Sequence, residues 1–93
     1  MTQTDIKREV TAVLTKMGVP TKAITDKASF QKDLGLDSLD FAEMVMEFEM
    51  RFHLDIPFTE AEDIHTVKEA VRYLYNALTQ KNKNIAVSIK SSS

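Results

Sequence analysis

Apolar residues return every three or four positions in three stretches of this chain, and nowhere do they alternate in the way that would build a sheet. In the first stretch Ile6, Val10, Val13, Leu14 and Met17 share one face, with Lys7, Arg8, Glu9 and Lys16 on the other. This predicts a helix over about Thr4 to Met17, stopped by Gly18 and Pro20. The strongest pattern covers Ser38 to Phe52, where Phe41, Met44, Val45, Phe48 and Phe52 form one wide stripe. Asp40, Glu43 and Glu47 form a second face, and Leu39, Met46 and Met50 an apolar strip beside it. Pro57 interrupts the pattern. Thr59 to Glu62 and Thr66 to Glu69 each read as a capping box. They predict a short helix over about Thr59 to Asp63, then a final one over about Val67 to Leu78. In the latter Val67, Val71, Leu74 and Leu78 face inward.

Between the first two helices, Val19 to Leu36 has no period. A loop this long inside a compact domain is usually functional. Ile24, Phe30, Leu34 and Leu36 are expected to pin it to the core, with Gly35 allowing a tight turn. The expected fold is all-α: a small three-to-four helix bundle with a long loop between helices one and two. Residues 1–79 form the folded domain. Residues 80–93, rich in Lys, Asn and Ser, are expected to be a flexible C-terminal tail.

Composition narrows the function. Ninety-three residues fit one domain with a modest core. With no cysteine, disulfides and thiolate metal sites are excluded. No stretch resembles a signal peptide, and no run approaches the roughly 18 apolar residues of a membrane span. The expectation is a cytoplasmic monomer. Charge is unevenly spread: Asp33 to Asp63 holds ten acids and one base, Arg51, while the rest holds eleven bases and four acids. Such an acidic segment repels nucleic acid and suits basic protein partners.

Catalytic groupings are scarce. His53 and His65 lie near the ends of elements, with no triad or metal-ligand spacing around them. Asp33, Asp37 and Asp40 lack the spacing and the glycine of a calcium loop, so no metal site is expected. There is no glycine-rich phosphate loop. What remains is Asp37-Ser38-Leu39-Asp40, where the long loop meets the second helix. Taken alone, those residues read as a helix cap.

The context gives them more. The run FQKDLGLDSLD from Phe30 to Asp40 resembles the prosthetic-group site of acyl carrier proteins, and the likeness continues through EMVMEFEMRF, IPFTEAEDIHTV and the final helix. It covers about Thr4 to Leu78, making residues 1–79 an acyl carrier domain. The resemblance implies that Ser38 bears 4'-phosphopantetheine, transferred from coenzyme A by a phosphopantetheinyl transferase. It implies that Asp37 helps hold that enzyme's magnesium. Leu39, Asp40, Glu43, Met46 and Glu47 would be read by acyl-loading and acyl-transfer or condensing enzymes with basic docking patches. Phe41, Phe48 and Phe52 would lie at an acyl pocket between the helices. On this reading the protein is not an enzyme. It delivers acyl intermediates of fatty acid, polyketide or related lipid biosynthesis, and the reactive thiol belongs to the prosthetic group. The chain departs from the family at Met50, Arg51 and His53, where many members keep acids, and at Phe41, where most have a smaller residue. A carrier of aminoacyl cargo, of D-alanyl or peptidyl type, and an unmodified interaction module remain as alternatives.

Overall fold

The computed structural model describes residues 1–92, with side chains described through residue 80. It is all-helical: α1 (Gln3–Lys16), a 3-10 turn at Thr21–Ala23, α2 (Ser38–Phe52), α3 (Phe58–Ala61) and α4 (Val67–Ser92). The expected bundle and its long first loop are both present. Among the described residues no helix is long and apolar enough to cross a membrane.

Each helix end has a local cause. Thr2 and Asp5 form a capping box at the start of α1. At its other end Gly18 has φ +96, a conformation that glycine adopts without cost. Its N–H donates to the Thr15 carbonyl at 3.0 Å, and the Val19 N–H to that of Leu14 at 3.0 Å. That paired closure satisfies carbonyls the helix would otherwise leave open. The second expected capping box is present too, with the Glu69 N–H donating to Thr66 Oγ1 and the Thr66 N–H to Glu69 Oε1. The first is not. α3 begins at Phe58 behind Pro57, and no side chain caps it. With φ at −60, Pro57 already has helical φ, and its carbonyl accepts from Glu60 and Ala61. Thr59 therefore falls inside the first turn rather than at its edge.

The apolar stripes meet in one core. Ile6, Val10, Val13 and Leu14 of α1 pack with Met44, Phe48 and Phe52 of α2 and Val67, Ala70, Val71 and Leu74 of α4. No polar or charged side chain is buried among the described residues. The loop adds Val19, Ile24, Ala28, Phe30 and Leu36, while Leu34 is only half-buried. Backbone bonds hold the loop to the start of α4. Val67 donates to the Ala28 carbonyl, Lys68 to that of Asp26, and Phe30 to that of His65. An isolated antiparallel bridge joins Ser29 and Thr66.

α4 continues beyond its expected end at Leu78. No glycine or proline follows Val67, so nothing in the sequence forces a stop. The flexible tail expected over residues 80–93 falls on backbone that is helical to Ser92. Its side chains from Lys81, and Ser93 altogether, lie outside the described residues.

Candidate functional site

Ser38 is the first residue of α2 and is exposed. The cap is built by its neighbours. Asp37 Oδ1 accepts from the Asp40 N–H at 2.9 Å, and Asp40 Oδ2 accepts from the Asp37 N–H at 3.2 Å. The two aspartates thus do the capping, and the Ser38 hydroxyl has no hydrogen-bond partner among the described residues. Among the described residues Asp37 Oδ2 is also left without one. The first amides of a helix have no internal partner and favour a nearby anion. An unengaged hydroxyl at that point fits a phosphodiester.

Ser38 also stands on the wall of a cleft of about 390 Å³. Phe41, Ala42 and Val45 continue the same wall down α2, spaced so that all four share one helix face. Opposite lie Phe58, Ala61 and Glu62, with Phe30, Ile56 and Ile64 between. The space is mostly apolar and partly open to solvent, and Ser38 is among the residues that line it. Such a cleft can shelter a flexible hydrocarbon chain. Among the described residues no group of acids or histidines could hold a metal ion.

The three aromatic residues expected at an acyl pocket divide. Phe41 lines the cleft, half-buried, with its ring edge-on to Phe30 at 6.0 Å between centroids. Phe48 and Phe52 do not. They tilt against each other at 6.4 Å inside the core. The helix wheel put all three rings on one stripe, but only Phe41, at the start of α2, lines the cleft, while Phe48 and Phe52 belong to the buried core cluster. Ala42, Val45, Phe58 and Ile64 line the cleft too, though none of them was expected at a pocket from the sequence. The i, i+3, i+4, i+7 relation of Ser38, Phe41, Ala42 and Val45 is the signal that points to the α2 wall.

The face beside Ser38 is exposed at Leu39 (81%), Met46 (60%) and Met50 (63%). Glu43 is exposed among them and Asp40 half-exposed. Glu47 is different: its side chain is 16% exposed, Lys16 Nζ binds its Oε1 at 2.8 Å, and Arg51 Nε lies 3.6 Å from its Oε2. Arg51 also reaches Glu9 at 3.0 Å. The hydrogen bond from Lys16, ahead of the nearby charges, holds the Glu47 carboxyl below the usual range. These ties therefore add stability above the ordinary glutamate pKa and lose it as acid protonates Glu47.

Two comparisons with known proteins bear on the chain as a whole. A family model described as a phosphopantetheine attachment site matches residues 10–74. The chain is similar to a protein named acyl carrier protein from Chloroherpeton thalassium (strain ATCC 35110 / GB-78), 44% identical over 75 residues, covering 80% of this chain and 94% of that relative.

Proposed function

We propose how this chain works from one premise: it belongs to the acyl carrier protein family. It is a carrier of acyl intermediates rather than an enzyme, and its covalent prosthetic group is 4'-phosphopantetheine. Ser38 is the attachment point. The observation that carries this assignment is the unpartnered Ser38 hydroxyl, left free by the Asp37–Asp40 cap and set on the wall of the apolar cleft. When bound, the group supplies the thiol that holds the cargo as a thioester. Ser38 fixes its origin, α2 holds that origin rigidly, and tethering raises the cargo's concentration at each partner's active site. Asp37 offers its free oxygen to the magnesium of the phosphopantetheinyl transferase.

The cleft shelters the acyl chain in transit, with Phe41, Ala42 and Val45 against one side of it. Leu39, Asp40, Glu43 and Met46 meet the partner enzymes of lipid synthesis, which present basic patches. Glu47 mainly ties α2 to α1. Residues 1–79 make up the carrier domain, which works in the cytoplasm as a monomer.

Intact-mass measurement after incubation with coenzyme A and a broad-specificity transferase tests the attachment. One phosphopantetheine per chain is expected, and an unchanged mass refutes the reading. A second expectation separates the acids of α2. Glu43→Lys should raise the transferase's KM several-fold at low salt and leave the melting temperature nearly unchanged, because a rim charge acts on encounter. Glu47→Gln should do the opposite, lowering the melting temperature while KM holds. A KM change of equal size in both would place Glu47 on the docking face.

A further inference from the structure

One wall of the cleft is lightly built. α3 has four residues and no side-chain cap, and of those residues only Ala61 is buried. Phe58, facing the cleft, is 77% exposed. The chain on either side is fixed more firmly. Ile56 and Ile64 are buried, and the Ile56 N–H donates to Glu49 Oε2 at 2.9 Å. Between these anchors a polar tie crosses from α3 to α4: the Tyr73 hydroxyl donates to Glu60 Oε1 at 2.6 Å. Hydrogen bonds to a carboxylate are short and strong compared with neutral ones. The Tyr73 ring packs against the core, so its end of the tie is anchored. Burial, and then the Glu60 carboxylate, hold the phenol well above its usual pKa, so it remains a donor.

A short wall held by buried residues at its ends and a hydrogen bond at its middle can yield when that bond is cut. We propose that Tyr73, acting through Glu60, fixes the α3 wall and so sets the longest acyl chain the cleft admits. Tyr73 touches no cargo; it is a positioning residue that determines specificity. The inference rests on the reading that a chain carried on Ser38 enters the cleft.

The test loads the full chain from butyryl-, octanoyl-, dodecanoyl- and palmitoyl-coenzyme A with a broad-specificity transferase, and measures the melting temperature of each product. In the wild type the gain should grow with chain length and then level off. In Tyr73→Phe, which keeps the ring and removes the hydroxyl, levelling should move at least one member up the series. Glu60→Ala, at an exposed position, should do the same. Glu60→Gln retains an oxygen acceptor and should level off with the wild type. If Tyr73→Phe and Glu60→Ala level off at the wild-type length, the tie is merely structural and the proposal falls. A wild type that still gains at palmitoyl also overturns it, because no limit is then set. A wild type that gains nothing from any chain refutes the cleft reading itself, and this proposal with it.

Discussion

Replacing Ser38 by alanine is expected to abolish modification altogether while leaving the bundle as stable as before. The two halves of that result have different causes. Modification needs an exposed, unengaged hydroxyl, and Ser38 supplies one at the first turn of α2. Stability needs the cap, and Asp37 and Asp40 supply that without the serine. Alanine is also a good helix former, so the backbone of α2 is not disfavoured. The companion variant Asp37→Ala should cost about 0.5–2 kcal/mol, the usual value of a lost cap. Intact mass after treatment with coenzyme A and transferase reads the first effect, and thermal melting reads the second. A Ser38→Ala protein that still gains mass would move the attachment elsewhere. A large drop in its melting temperature would mean that the serine shares in the cap.

The largest stability effect is expected at Phe48. Its ring is 1% exposed and packs with Phe52 in the core. Phe48→Ala should therefore cost about 3–5 kcal/mol, the lost burial plus the cavity left behind. A small domain has only about 5–15 kcal/mol in total, so this variant would be close to unfolding at elevated temperature. Phe41→Ala should cost less, about 1–2 kcal/mol, because a half-buried ring gives up less apolar area. The contrast separates core from cleft. Denaturant melts of both variants measure it, and equal costs would place Phe41 in the core as well. Loading a long acyl chain onto Ser38 should return part of the loss in Phe41→Ala, since the deleted ring widens the cleft. The same loading should do nothing for Phe48→Ala, because Phe48 does not line the cleft.

These expectations differ from those of the sequence at points where information is not local. The span of α2 was legible because fifteen residues carry one strong period with acids at its start. The Thr66–Glu69 box was legible because both of its partners lie within one turn. Asp37 and Ser38 are both good caps by residue type, so composition could not say which was free. Glu47 resembled Glu43 on a helix wheel. Its separation from the docking acids depends on Lys16, thirty-one positions away in sequence. Thr59 matched a cap pattern, but Pro57 began the helix first. The left-handed backbone of His53, with φ 54 at the end of α2, was also invisible, since glycine or asparagine more often takes that place.

The hydrogen bonds between the long loop and α4 have a consequence for how the molecule opens. Val67 and Lys68 sit at the start of α4, where amides need partners from outside the helix, and the carbonyls of Ala28 and Asp26 serve them. Neither side can let go without exposing the other: peeling the loop away uncaps α4, and fraying α4 strips the loop of its anchor. A segment without regular structure usually opens by itself at little cost. Here the loop belongs to the same cooperative unit as the helix it caps. Its amide at Phe30, bonded to the His65 carbonyl, is expected to exchange with solvent only when the start of α4 opens too, which hydrogen exchange would measure. The first half of the approach to Ser38 is thus expected to open together with the start of α4 rather than by itself, so that a carrier handed repeatedly from enzyme to enzyme presents the same entry to α2 at every encounter.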